Sequence, residues 1–283
     1  MTSTWSLHRQ LGQVMYEWSD IRARAAVDEA PKGALDLLEL PAQLAARGIG
    51  MLEICHFHFP RLDDGYIADL RQALASAGIE LFSILIDAGD ITHPDAEQRQ
   101  KEMLWVGEWL EIAARCGARC ARVVAGISVA HEPGEWHASE VVKMSAANLR
   151  HLAALGRTLG VAVLTENFQP LGARAGALNA ILDLCADEVG LCVDFGNLKG
   201  PDKYRDLASL LPRATSVHAK ADFPGVGQMD REDFAHCLSL AQNAGFAGPY
   251  SLIFSSPGEE WEGLEQTQSF VEEWLEKSSD GAI

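Results

Sequence analysis

Basic residues are scarce: 23 Lys plus Arg stand against 40 Asp plus Glu in 283 residues, a net charge of −17. So acidic a surface repels both a phosphate backbone and an anionic membrane, which excludes nucleic acid and lipid headgroups as expected partners. No apolar run approaches the roughly 20 residues of a spanning helix, and the opening MTSTWSLHRQLGQ has no apolar signal core. A soluble cytoplasmic protein is therefore expected. The six cysteines, Cys55, Cys116, Cys120, Cys185, Cys192 and Cys237, fall mostly inside apolar runs and form no CxxC pair. Buried thiols in a reducing compartment are expected rather than disulfides. Cys116 and Cys120, at x3 spacing, would supply half a zinc site, with nothing to supply the other half. The chain also lacks a GxGxxG after its first strand, a Ser-, Pro- or Gly-rich linker and any low-complexity tract. These absences weigh against a dinucleotide-binding open sheet and against two domains.

What is present is ordinary globular composition, 48% apolar and 22% charged, enough for a substantial core. One pattern repeats along it. Helix-like stretches end near Gly48, Gly78, Gly117, Gly160, Gly190 and Gly245, as expected of glycine at the left-handed position after a helix. Apolar runs follow: GMLEICHF, IELFSILID, CARVVAG, VAVLTEN, LCVDFGN and YSLIFS, with SVHAKA after Pro212 as a seventh. They are continuous rather than alternating, as strands buried on both faces are. QVMYEW is the weakest candidate, for an eighth strand. Between the runs lie periodic segments such as EQRQKEMLWVGEWLEIAARCG, in which Met103, Trp105, Val106, Trp109, Leu110, Ile112 and Ala113 trace one apolar face. Strand and helix alternate over nearly all of residues 1–283, which predicts one α/β domain, a single (β/α)8 TIM barrel, with a doubly wound open sheet as the alternative.

In such a barrel the active site forms at the C-terminal strand ends. The polar residues there are Glu53, His56, His58, Asp87, Arg122, Glu166, Asn167, Asp194, Asn197, His218 and Lys220. Glu166, Asp194 and His218 end three successive runs, so chain order brings two carboxylates and an imidazole together. That donor set suits one divalent ion, Mn2+, Zn2+ or Mg2+. Burying Glu166 and Asp194 without a cation would cost several kcal/mol each, roughly. His56 and His58 are two apart and would share a face toward metal or substrate, or else lie in a loop. Arg122 is expected to pair with an internal carboxylate such as Glu53 or to reach a substrate oxygen, and Asp87 and Asp222 either to cap the helices that follow or to serve the site.

The ordered set LTEN, VGLCVDFGN, VHAKADF, GVGQMD and GFAGPYSL resembles the xylose isomerase-like TIM-barrel superfamily of sugar isomerases, sugar phosphate isomerases/epimerases, inosose dehydratase-like proteins and apurinic endonucleases. The resemblance spans roughly residues 45 to 275. It implies one divalent metal held in the isomerases by Glu, Asp, His and a last Glu, the first three matching Glu166, Asp194 and His218. The chain departs from that pattern at Ile253, where the last Glu would stand, at Asn197, where many relatives have His, and at Glu232, where the endonucleases would show His. The resemblance implies a sugar isomerase or epimerase working through an enediolate on a small carbohydrate-like substrate, and it suggests a homo-oligomer. Glu166, Lys220 or His56 are the candidate bases, and His58, Arg122, Asn167 and Asn197 the candidate substrate contacts. Loss of the last Glu keeps two alternatives open, a lyase or dehydratase on a similar substrate and a non-catalytic carbohydrate-binding barrel. With few basic residues near the mouth and no glycine-rich anion nest, a neutral or carboxylate substrate is expected over a phosphorylated one.

Overall fold

The computed structural model describes residues 1–12, 35–128 and 135–280. Its eight strands, β1 (Thr2–Ser3), β2 (Met51–Cys55), β3 (Glu80–Ile86), β4 (Cys120–Val123), β5 (Ala162–Glu166), β6 (Gly190–Asp194), β7 (Ala214–Lys220) and β8 (Tyr250–Ile253), close in chain order into an all-parallel barrel. The closed ring rules out the open sheet. QVMYEW lies outside the described residues. The ring is completed by Thr2–Ser3, a strand with no apolar signature because its pairing is made by backbone: Leu252 N–H donates to Met1 O at 2.8 Å.

The helices are α1 (Leu40–Ala45), α2 (Asp64–Ala77), α3 (Ala96–Cys116), α4 (Glu140–Leu159), α5 (Gln169–Gly172), α6 (Ala175–Cys185), α7 (Lys203–Leu210), α8 (Arg231–Asn243) and α9 (Glu260–Asp280). Asp63, Asp95 and Asp230 start α2, α3 and α8 by accepting an N–H from the first turn. Gly78, Gly117 and Gly160 end α2, α3 and α4 in the left-handed conformation. Gly190 departs from that rule, because Ala186 and Asp187 take the left-handed positions after α6 and Gly190 opens β6. A Cβ there would meet Thr215 Oγ1 at 2.6 Å, so the position is kept bare for packing.

The main core lies between strands and helices. On α3, Val106, Trp109, Leu110, Ile112 and Ala113 are buried against it, with Trp105 and Met103 at its margin. All six cysteines are buried free thiols. The inside of the ring is more polar: neighbours in register share a face, so Ser3, Glu53 and Ser83 form one inner row, and His218 pairs with Asp194 and Ser251 in another.

Candidate functional site

Three strand ends converge at the mouth. Glu166 closes β5, Asp194 closes β6 and His218 stands near the end of β7, all buried. The imidazole organises the cluster. Its Nδ1 lies 3.5 Å from Asp194 Oδ2 and 3.6 Å from Glu166 Oε1, while Nε2 lies 3.1 Å from Glu53 Oε2. Ser251 Oγ donates to that same Glu53 oxygen at 2.5 Å. Nε2 donates to the ionised Glu53, and Nδ1 faces the two carboxylates, toward which it would turn its lone pair only once a metal displaces its proton.

Each carboxylate is fixed from behind. Asp194 Oδ1 accepts the N–H groups of Gly196 and Asn197 at 2.6 and 2.9 Å, leaving Oδ2 toward His218. Asn197 Nδ2 donates to Glu166 Oε1 at 2.9 Å, and Arg122 Nε stands 2.9 Å from Glu166 Oε2. Arg122 Nη2 donates to Asp87 at 2.5 Å. The arginine therefore pairs with Asp87 and Glu166 rather than with the expected Glu53, because Leu85 and Leu164 are its register neighbours and an acid follows each of them by two residues. Asp87 is correspondingly not a helix cap, and Asp222 pairs with Lys199 at 3.4 Å.

Lys220 is half-buried and shares a cavity of about 130 Å3 with Ser3, Trp5, Arg122, Glu166, Phe168, Asp194, Asn197, His218 and Ile253. Its stem lies across Gly196, where a Cβ would meet Lys220 Cδ at 2.7 Å. In register Lys220 stands opposite Ile253, so an ammonium and an aliphatic side chain form the β7–β8 wall.

The other expected residues lie elsewhere. His56 is in a 3-10 turn behind the mouth, its ring edge-on to Trp105 and Trp109 and its Nδ1 accepting the Asp87 N–H at 3.2 Å. His58 points to Thr4 Oγ1 at 2.7 Å and His8 Nδ1 at 3.0 Å. Asn167 spends its amide on the backbone of Asp194, donating to O at 2.8 Å and accepting from N at 2.7 Å, which locks β5 to β6. Two residues escaped the sequence reading as site members. Glu53 was visible only as a strand-end acid, and Cys192 was signalled by alternation alone, two residues before Asp194.

Electrostatics follow the packing. Burial would lower the His218 imidazole, but Cys192, Glu53, Glu166 and Asp194 together raise it well above its ordinary value. Burial would raise Glu53 and Asp194. The His218 contacts outweigh it at Glu53, and Lys220, His218 and the Gly196 N–H outweigh it at Asp194, so both carboxyls are held low. Four carboxylates (Glu53, Asp87, Glu166, Asp194) thus surround two fixed cations, Arg122 and Lys220. With the His218 imidazole neutral, as metal binding requires, two negative charges remain for a divalent ion to balance; without the ion the protonated imidazole offsets one of them. The 3.5 and 3.6 Å spacings also match ligands around one ion with bonds of about 2.0–2.2 Å. Glu166 and Asp194 each stand at ligand spacing from His218 and could hold a divalent metal with it, with Glu53 as the carboxylate behind the histidine.

Among solved structures, L-ribulose 3-epimerase aligns with a TM-score of 0.69 and 18% identity, covering 92% of this chain and 93% of its own. A xylose isomerase-like TIM barrel protein from Mycobacterium smegmatis in complex with magnesium gives 0.63 and 19%, covering 92% and 98%. D-psicose 3-epimerase with D-tagatose from Clostridium cellulolyticum H10 gives 0.63 and 14%, covering 85% and 93%. Identities this low establish a shared fold. No curated protein matches the sequence. A family model, xylose isomerase-like TIM barrel, matches residues 41–274, most of the chain and all three convergent strand ends. The chain belongs to the xylose isomerase-like TIM barrel family.

Proposed function

We propose that this protein is a metal-dependent isomerase or epimerase of a small sugar or sugar-derived carbonyl compound. The observation that carries the reading is the His218 imidazole, turned by Glu53 so that Nδ1 faces Glu166 and Asp194 at the mouth of a barrel cavity. The structural neighbours that act on ketoses, among them L-ribulose and D-psicose 3-epimerases, support the substrate class. A divalent ion, when bound, supplies Lewis acidity toward neighbouring substrate oxygens and so acidifies the C–H beside a carbonyl.

The chain's own groups do the rest. Glu166 has one oxygen held by Asn197 and the other by Arg122, so it is oriented to accept the proton of that C–H. Lys220 Nζ, with its stem guided across Gly196, offers a positive charge to the oxygen on which an enediolate gathers negative charge. Trp5, Phe168 and Ile253 restrict water around the reacting carbon. His56 acts in this reading as a prop for the backbone of Asp87, and Asn167 as the tie between β5 and β6.

Ile253 supports a second reading. Two-base epimerisation needs a proton donor on the face opposite Glu166, and Ile253, across from Lys220, offers none. A lyase or dehydratase shares the proton-abstraction step and then expels a β-hydroxyl, for which Lys220 is a suitable acid. The test begins with metal content by elemental mass spectrometry: about one divalent ion per chain is expected, lost in Asp194→Ala. Ketoses, inososes and sugar acids are then incubated in D2O. Deuterium at the carbon beside the carbonyl with carbon skeleton retained supports the isomerase, and loss of water supports the lyase. A wild-type protein that takes up no divalent ion would overturn both and favour a binding barrel.

A further inference from the structure

Cys192 has so far entered the site only as a neighbour that raises the His218 imidazole. It stands directly opposite Glu166 in the β5–β6 register and two residues before Asp194, so both β6 side chains point into the barrel. A register shift between β6 and β7, after Leu191, sets Cys192 opposite Ser216, whose inner face is also that of His218. The thiol sulfur, a Glu166 oxygen and a His218 nitrogen, all buried, lie within 4.8 Å of one another. Among the described residues no other group of three such donors is this close.

The hard donors here are fewer than the family pattern implies. Ile253 replaces a carboxylate at the cavity wall, and one oxygen of Asp194 is committed to the Gly196 and Asn197 N–H groups. What the mouth offers instead is carboxylate oxygen, imidazole nitrogen and sulfur, a set that suits zinc-class ions, whereas Mg2+ favours oxygen alone. We infer that Cys192 is a metal ligand, acting with Glu166, His218 and Asp194 to make a site selective for zinc-class ions over Mg2+. This rests on the metal-dependent reading above. On binding, the S–H bond breaks, its proton leaves to solvent and the sulfur lone pair forms the bond to the ion. Bonds of about 2.0–2.3 Å would bring the donors to roughly 3.3–3.6 Å of one another, a contraction within reach of side-chain rotation.

The full chain, stripped by chelator and kept anaerobic, is titrated with Co2+. The expected result is visible d–d absorption together with an intense near-ultraviolet thiolate-to-cobalt band at one equivalent. Cys192→Ser keeps the former, loses the latter and binds Zn2+ more weakly by more than about tenfold, with little change toward Mg2+. Should the variant fail to fold, zinc X-ray absorption on the wild type decides: one sulfur neighbour at about 2.3 Å supports the inference, an all-oxygen-and-nitrogen shell overturns it. Cobalt bound without the thiolate band, or with the band retained in Cys192→Ser, overturns the role of Cys192 and leaves the proposed function standing. No cobalt uptake at all overturns both.

Discussion

Glu53 touches His218 and not the cavity, so its effect must pass through the ring. In Glu53→Gln the amide can still accept from Nε2, but the charge that favours the Nδ1 lone pair is gone. Metal affinity should fall about 10–100-fold, the usual cost of losing such a partner. Isothermal titration with Zn2+ or Mn2+ checks this; an unchanged affinity with a lowered Tm would make Glu53 a packing residue only. Asp90, in the loop after β3, accepts from Thr92 N and Oγ1 at 3.0 and 2.7 Å, from Ile127 N at 3.1 Å and from Ser128 Oγ at 3.0 Å. Burial raises its carboxyl, but these donors more than offset that and hold it below the usual 3.8. A lowered folded value means the stabilisation is complete above the unfolded value and is lost as pH falls through the folded one. Asp90→Asn should therefore cost about 1–3 kcal/mol at neutral pH, with the gap to wild type closing only as pH falls below 3.8 in urea unfolding. A gap independent of pH would refute the assignment to Asp90.

Among the elements, α4 and β5 show how closely a helix must seat to aim a strand end. A Cβ at Gly156 would lie 2.5 Å from the Val161 carbonyl oxygen, whereas Gly160 has φ +75° and nothing within 4 Å. Gly156→Ala should cost about 1–3 kcal/mol through overpacking, and Gly160→Ala about 1 kcal/mol through conformation alone. Differential scanning calorimetry should rank them in that order, with the Glu166-dependent metal affinity weakened only in the first. The same contrast explains what the sequence could disclose. Continuous apolar runs and left-handed caps announced seven strands and most helix ends. Thr2–Ser3 carries no such signal, since backbone pairing at a barrel seam imposes no side-chain period. By spacing His56 and His58 either share a mouth-facing side or lie in a loop, and the structure takes the second course: the chain leaves extended geometry at Cys55 and a 3-10 turn carries both rings away from the cavity. Arg122 was legible as a buried ion-pair partner, yet which acid it meets depends on register, a property of two strands that neither one encodes alone.

For the molecule as a whole, a net charge of −17 is the largest unbalanced quantity. Self-repulsion among surface carboxylates opposes compaction and is screened within about 10 Å at 0.1 M salt. The Tm of the metal-free protein should therefore rise as NaCl is raised from about 0.01 M to about 0.15 M; a flat or falling Tm would mean that the acids are already paired locally.

The barrel seam carries a further meaning. The two-residue strand β1 is the whole of the join between β2 and β8, held by bonds such as Thr2 Oγ1 to Leu252 O and Ser6 Oγ to the same carbonyl. Around the ring this join faces β5, so the shortest stave of the cask lies diametrically across from the stave that carries Glu166. The amides of residues 2 and 252 should exchange with solvent well before those of 166 and 194.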